Sequence, residues 1–245
     1  MANTGAAELL AAWEAGLGEA PVGRALLLHR TARPDVDVSR LPALPVGERE
    51  ADLFALRRAL FGERMQVRLE CAACGQDMEF DLDAGELAAS LGGRGERGER
   101  VVRVQEGGWD VEFRLPGIAD LQAAARSADP RAALFAQCLV SAARGGTAVA
   151  DPELPGAVQR RIAEAVEAAD PGADLALSIA CPECGAATRA ELDIASYLWT
   201  ELDAWARDVL LDVHLLATAY GWSEPEILAL SPTRRRYYLE LCADV

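Results

Sequence analysis

The sequence predicts an α+β protein in which two similar cysteine-bearing hairpins lie between helical segments. Two observations lead to this prediction. A strand-turn-strand pattern with two cysteines occurs twice in the 245-residue chain, and apolar residues recur every three or four positions near both ends. We therefore divide the chain into four parts: an N-terminal helical block (1–63), the two hairpins (64–91 and 174–193), a hairpin-and-helix insertion (92–173) and a C-terminal helical block (194–245).

The N-terminal block contains three helical patterns. Apolar residues recur at helical spacing over 6–15 and 22–30, and the Pro-containing stretch at 34–45 is predicted to be extended. The strongest pattern covers 48–61, where the Leu and Phe side chains share one face, and Gly62 is its predicted end.

The two hairpins are near copies of each other. Both begin with alternating apolar residues, continue through a Cys-x-x-Cys-Gly turn and end with a second strand that finishes in Leu-Asp. The copies are Val67-x-Leu69-x-Cys71-Ala-Ala-Cys74-Gly75 followed by Leu82-Asp83, and Leu177-x-Ile179-x-Cys181-Pro-Glu-Cys184-Gly185 followed by Leu192-Asp193. A strand, a two-thiol turn and a strand form half of a tetrahedral zinc site, and the Gly suits a turn that needs positive φ.

Together the hairpins supply four thiols, from Cys71, Cys74, Cys181 and Cys184. Four thiolates fill a structural Zn²⁺ site and leave no position for water or substrate, so we predict a split zinc ribbon over 64–91 and 174–193. A compact ribbon separates its two pairs by about 15–20 residues, whereas Cys74 and Cys181 lie 107 positions apart. Disulfide or unliganded cysteines remain alternatives, and four thiolates would also hold iron.

The insertion is predicted to be mixed. Asp83 can cap a short helix that ends at Leu91, and a Gly- and charge-rich loop follows at 92–100. Strand patterns on either side of Gly107-Gly108 predict a hairpin over 102–113. Helical patterns then cover 120–126, 130–143 and 155–169.

The C-terminal block has the sharpest helix signals. Asp193 can cap a long helix that ends at Tyr220 and Gly221. Its apolar stripe is Ile194, Leu198, Leu202, Trp205, Val209, Val213, Leu216 and Tyr220. Ser223-Glu-Pro-Glu226 is a capping box, and Ser231-Pro232 begins a last helix that runs to Leu241.

Composition excludes several functional classes. A net charge of −15 and a pI near 4.6 oppose a large nucleic-acid surface, because that surface needs Lys and Arg to neutralise phosphates. All 24 basic residues are Arg, which excludes a Schiff-base or phosphate-loop lysine. Neither His29 nor His214 belongs to a known catalytic motif, so we predict no enzyme activity. Without a membrane-length apolar run or a secretion signal in residues 1–20, the expected location is the cytoplasm.

Five residues near the C-terminus are candidates for contact with a partner. Trp199 lies six positions from Trp205 on the long helix, so the two indoles cannot share a face and Trp199 could face outward. On the last helix, an Arg- and aromatic-rich surface would suit a protein or nucleic acid, although solvated arginines are the alternative. Its residues are Arg234, Arg235, Arg236 and Tyr237.

A family resemblance is carried by short segments spread over most of the chain. They are Leu44-Pro-Val-Gly47 with Leu60-Phe61-Gly62, the Cys-x-x-Cys-Gly pair, Phe113-Arg-Leu-Pro116 with Asp120-Leu121, Leu198-Trp199, and Tyr220-Gly-Trp-Ser223-Glu-x-Glu-Ile-Leu-x-Leu-Ser231 with Arg234-Arg-Arg-Tyr237. These segments resemble the zinc-containing relatives of the T-even-phage-type baseplate hub and hub-assembly proteins. Such proteins occur in tailed phages and in bacterial phage-tail-like contractile injection systems.

The resemblance implies a non-enzymatic baseplate component or assembly factor. Such a protein would bind other baseplate, hub, tube or spike proteins, and would either remain in the finished tail-like particle or only assist its assembly. The main alternative is a zinc-ribbon regulatory or nucleic-acid-binding adaptor that uses the arginine-rich segments. A zinc hydrolase is a third class, which would require fewer than four sulfur ligands and an open coordination position.

Overall fold

The computed structural model describes residues 5–90 and 100–243, and its helices and small sheets confirm the α+β class. Residues 91–99, which include most of the predicted Gly- and charge-rich loop, lie outside the described part. In chain order the elements are α1 (Ala6–Leu17), α2 (Pro21–Ala32), α3 (Val46–Phe61), β1 (Arg64–Glu70), β2 (Asp77–Asp83), α4 (Ala84–Ser90), β3 (Val101–Glu106), β4 (Trp109–Arg114), α5 (Ile118–Ala125), α6 (Pro130–Cys138), β5 (Leu139–Arg144), β6 (Thr147–Ala148), α7 (Gly156–Ala169), β7 (Ala176–Ala180), β8 (Ala187–Glu191), α8 (Ile194–Tyr220), α9 (Glu224–Leu228) and α10 (Pro232–Ala243).

The chain divides into two compact units. One consists of Met1–Thr31 with Ala195–Val245, and the other of Ala32–Ile194. The helices α1 and α8 therefore belong to the same unit, while the predicted N-terminal block is shared between the units. All four cysteines of the two hairpins belong to the second unit.

The first unit is helical and is organised on α8. Part of the predicted apolar stripe of α8 lies in its core, with Leu198, Leu202, Val209 and Leu216 at most 2% exposed. Trp205 and Val213 are half-buried, and Tyr220 at the end of the stripe is exposed. Trp13 of α1 donates from Nε1 to Asp203 Oδ1 at 2.8 Å, which fixes α1 against α8. The helix ends where predicted, because Gly221 has φ of +69°. The predicted capping box at α9 is present, with Glu226 accepting from the backbone amide of Ser223.

The second unit contains three antiparallel sheets. Strands β1 and β2 form one hairpin, β7 and β8 form another, and β3-β4-β5-β6 form a four-stranded sheet. Helix α7 packs on the four-stranded sheet, and their shared core includes Val111, Phe113 and Ile162. Ile162 has no exposed surface, so truncating it to Ala is expected to cost about 2–5 kcal/mol of stability.

Two local predictions were wrong, and each has a structural reason. The helix predicted over 130–143 ends at Cys138, and Leu139–Arg144 becomes strand β5 because it pairs with β4. Tertiary pairing thus overrides a helical pattern. The Gly145-Gly146 turn that follows, with φ of +57° and +82°, was the sequence signal for this hairpin. The stretch predicted to be extended contains a 3₁₀ helix at Val38–Ala43, whose first turn Asp37 caps by accepting from the Ser39 amide.

Two of the segments that carry the family resemblance meet in this unit. The amide of Val46 donates to the carbonyl of Pro116 at 3.1 Å, and Pro45 pairs with Gly117 in an isolated β-bridge. A Cβ at Gly117 would lie 2.6 Å from the Pro42 carbonyl oxygen, so only glycine permits this approach. The Leu-Pro segments therefore join the start of α3 to the end of β4.

Candidate metal centre

The two cysteine hairpins have the same local geometry. In the first, the amide of Gly75 donates to the carbonyl of Cys71 at 2.8 Å, and Gly75 has φ of +73°. In the second, the amide of Gly185 donates to the carbonyl of Cys181 at 2.9 Å, and Gly185 has φ of +72°. These tight turns let the backbone reverse while both sulfurs of a pair point to the same side. The repeat in the sequence is therefore a repeat in structure.

The two pairs of sulfurs meet, as the repeat predicts. Cys71 Sγ lies 3.7 Å from Cys184 Sγ, and Cys74 Sγ lies 3.8 Å from Cys181 Sγ. All four atoms lie within 4.8 Å of one another. A disulfide would require about 2.05 Å, so all four cysteines are free thiols in this arrangement.

These spacings fit one metal ion. A tetrahedral ion with sulfur ligands at about 2.3 Å places its sulfurs about 3.8 Å apart, which matches the separations of 3.7 and 3.8 Å between the two hairpins. Cys71 and Cys181 are buried, whereas Cys74 and Cys184 are exposed at the surface. Within the described residues, this is the one group of three or more His, Cys, Asp or Glu side chains that could hold a metal.

The protonation of the thiols also favours a cation. The backbone amides of Cys74 and Ala73 donate to the sulfur of Cys71 and lower its pKa to about 6. The backbone amide of Gln76 likewise lowers the pKa of Cys74. The nearby sulfurs, Cys184 first, outweigh this effect and raise the pKa of Cys74 to about 12. Four thiolates this close repel one another, so a bound cation is what would allow all four to ionise together.

A fifth side chain supports the sulfurs. The hydroxyl of Thr188 lies 3.9 Å from Cys71 Sγ and donates to it, and Thr188 is only 8% exposed. Thr188 was not predicted from the sequence. The repeat could have located it, since Thr188 occupies the position that Met78 holds in the first hairpin, and Met78 packs against Cys71 and Cys181. One hairpin thus contributes an apolar contact and the other a hydrogen bond.

A separate acidic group lies near the start of α3. Glu50 is 8% exposed, and its burial raises its pKa to about 7. The guanidinium of Arg49, 2.8 Å away, acts against this rise, whereas Asp193 and Asp170 add to it. Burial likewise raises the pKa of Asp170, which accepts a hydrogen bond from the amide of Gly47. These carboxylates form a structural acidic cluster.

The predicted partner residues of α10 do not share one environment. Arg234, Arg236 and Tyr237 are exposed, and Tyr237 is 65% accessible. Arg235 is only 6% exposed, and its Nε lies 3.0 Å from Asp212 of α8. The guanidinium of Arg235 therefore pairs inside the helical unit, apart from the three exposed side chains, and contact of these residues with a partner stays a prediction.

Trp199 is also engaged within the helical unit. Its ring packs against α1 so closely that a Cβ added at Gly16 would lie 2.3 Å from it. The guanidinium carbon of Arg24 lies 4.9 Å from the ring centroid. The indole thus contacts both α1 and α2 and is half-buried, and its contact with a partner stays a prediction.

The remaining candidates for chemistry do not form a second site. His29 is 1% exposed on α2, and His214 is exposed on α8. Neither is part of the group that could hold a metal. No helix in the described ranges is both long and apolar enough to cross a membrane.

One comparison with known proteins gives a match. A family model described as "T4 bacteriophage base plate protein" matches residues 26–197. The matched range covers well over half of the chain and contains both cysteine hairpins. It stops before residues 220–239, which contributed strongly to the resemblance in the sequence. No curated protein and no solved structure matches the chain significantly.

Proposed function

Because the chain belongs to the T4 bacteriophage base plate protein family, we propose that it is a non-enzymatic component or assembly factor of the baseplate of a contractile, phage-tail-like injection system. The observation that carries this proposal is the family match over 26–197, which extends across the whole of the second unit. The protein would act by binding other proteins. Its partners would be other baseplate, hub, tube or spike proteins, first in the cytoplasm and then in the assembled particle.

The metal in this proposal is a structural Zn²⁺ held by Cys71, Cys74, Cys181 and Cys184. Four sulfur donors and tetrahedral spacing support zinc, and a fully occupied ligand set supports a structural rather than a catalytic role. The ion would neutralise the thiolates and join the two hairpins into a split ribbon. Iron remains a competitor because it also accepts four thiolates.

Metal analysis tests this part of the proposal. Protein purified without added metal is expected to contain about one zinc per chain, and Cys74→Ser is expected to lose most of it. Cys242→Ser is the matched control, since Cys242 is half-buried on α10, donates to the Tyr238 carbonyl and is not one of the four clustered cysteines. Absorption bands typical of iron–thiolate sites would identify the metal as iron instead of zinc. A metal-free protein whose hairpins are intact would refute the metal centre.

The baseplate proposal is tested in the native host. A tagged copy is expected to purify with sheath, tube or spike subunits, and deletion of the gene is expected to yield particles with defective baseplates in electron micrographs. Normal, contractile particles from the deletion strain, or recovery of ribosomes or RNA polymerase with the tagged copy, would overturn the proposal.

A zinc-ribbon nucleic-acid adaptor is the competing function. The exposed side chains of Arg234, Arg236 and Tyr237 are the feature that favours it, whereas the net charge of −15 and the burial of Arg235 oppose it. Such an adaptor would bind labelled RNA or DNA with an affinity that falls steeply as salt rises. Absence of binding at low salt would eliminate this function.

A further inference from the structure

A large groove lies in the second unit, between α7 and the second cysteine hairpin. Its volume is about 990 Å³. The floor is apolar, with half-buried Leu134 and Phe135 from α6 and Val166 from α7 lying above the fully buried Ile162. These side chains belong to the edge of the insertion core. The groove therefore exposes an apolar surface that is continuous with a packed interior.

The rim of the groove is acidic. Glu164, Glu167, Asp170 and Asp174 line it, and Arg189 is the one basic residue among the lining residues. Arg189 lies 3.4 Å from Asp174, and both side chains are exposed. Glu164 likewise lies 3.2 Å from Arg161, and both of those side chains are exposed. Exposed ion pairs of this kind are weak, so Glu164, Glu167 and Asp174 still present negative charge to a ligand, whereas Asp170 is held by the Gly47 amide. An apolar floor inside an acidic rim favours a ligand with the opposite pattern.

Contacts with Gly47, at the start of α3, hold one end of the groove in place. Asp170 Oδ2 accepts from the amide of Gly47 at 3.0 Å, which fixes one end of the rim to the start of α3. The next turn packs on the same residue, because a Cβ at Gly172 would lie 3.2 Å from Gly47 Cα. A preformed groove spares a ligand part of the entropic cost of binding.

We infer that this groove is the docking site for a basic segment with one apolar face, supplied by a neighbouring baseplate protein. The inference rests on the proposed function and specifies the chemistry of one partner. Apolar side chains of the segment would cover Leu134, Phe135 and Val166, which supplies affinity through burial. Its Lys or Arg side chains would meet the carboxylates of the rim, which supplies orientation and selectivity.

Site-specific photo-crosslinking in the native particle tests the inference. One full-length chain carries p-benzoylphenylalanine at Ala163, an exposed residue that lines the groove on α7. Its matched control carries the same group at Ala157, an exposed alanine of α7 outside the lining. Particles are irradiated, and the attached peptides are identified by mass spectrometry. Metal content and circular dichroism show that each chain is folded.

The expected result is an adduct at Ala163 with a baseplate segment in which Lys or Arg alternates with apolar residues. Adding Glu167→Arg to that chain is expected to reduce the adduct at least about tenfold, since it places like charges together. The corresponding change at Glu153, an exposed carboxylate outside the lining, is expected to leave it unchanged.

Equal adducts at Ala163 and Ala157 would overturn the inference. So would an adduct to an acidic segment or to nucleic acid, or an adduct whose yield does not change with Glu167→Arg. Absence of an Ala163 adduct from a chain that is present in the particle would overturn it too, while leaving the proposed function standing. Absence of the chain from particles and from their assembly intermediates would instead refute the proposed function.

Discussion

Disruption of the sulfur cluster should have a large and localised effect on stability. The perturbation is Cys184→Ser, which removes one of the two exposed sulfurs and leaves the buried pair in place. Removal of one ligand breaks the tetrahedral set and lowers metal affinity. The two hairpins then lose the link through the ion and keep only weaker side-chain contacts, such as those of Thr188 and Met78 with the buried sulfurs.

The magnitude follows from the length of that stretch. The contacts between Cys71 and Cys184, and between Cys74 and Cys181, join positions 113 and 107 residues apart. In the chain-entropy treatment, closing a loop of this length is worth about 5 kcal/mol. Because domain stabilities are about 5–15 kcal/mol, this contribution is a large part of the total. A shift in Tm of roughly 10–20 °C would correspond to it.

Hydrogen exchange is the sharpest measurement, because the chain has two units. Amides of β1, β2, β7 and β8 are expected to exchange faster in Cys184→Ser or after chelation of the wild-type protein. Amides in the middle of α8 serve as an internal reference, and Cys242→Ser serves as the control variant. Unchanged exchange in the four strands after the metal has been removed would refute the reasoning that the ion joins the hairpins.

Three further outcomes are expected. Burial raises the pKa of Glu50 from 4.5 to about 7, so across that window the folded chain retains a proton that the unfolded chain has released, and stability falls as pH rises. Urea titrations at pH 5 and pH 8 should show that Glu50→Gln removes about 2.5 kcal/mol of this pH dependence. The same difference in unfolding free energy between the two pH values in both proteins would contradict it. Gly75→Ala should cost about 1 kcal/mol or more and weaken metal binding, because φ is +73° there. Gly16→Ala should destabilise the helical unit by about 1–3 kcal/mol and alter tryptophan fluorescence, since the new Cβ meets the Trp199 ring. Gly18→Ala is the control for both glycine variants, because Gly18 has φ of −87° and open space around it. An equal loss of stability in Gly18→Ala would contradict both the positive-φ argument for Gly75 and the steric argument for Gly16.

Features that depend on local chemistry could be predicted from the sequence. The hairpins follow from the repeated apolar alternation and the Cys-x-x-Cys-Gly turns, and the clustering of the thiols follows from the need to complete a ligand set. The end of α8 and the start of α9 follow from Gly221 and Ser223, whose backbone preferences act within a few residues.

Features that depend on distant contacts could not be predicted. Leu139–Arg144 has a helical sequence pattern, and only its pairing with β4 in the folded chain makes it a strand. The three consecutive arginines of α10 point in directions about 100° apart, so one had to face inward, but only the position of Asp212 selects Arg235. Similarly, Trp199 meets Gly16 because the first and last parts of the chain share a unit, which no local pattern encodes.

The wide separation of the paired thiols imposes an order on biosynthesis. Cys71 leaves the ribosome 113 residues ahead of Cys184. At about 5–20 residues per second, it waits roughly 6–23 s for its counterpart. During that interval the first hairpin offers only two ligands, so the insertion is synthesised before the ion can be enclosed. Capture of the proposed Zn²⁺ would thus be a late event in the maturation of the nascent polypeptide, and a cell short of zinc would be expected to accumulate chains whose hairpins are not joined.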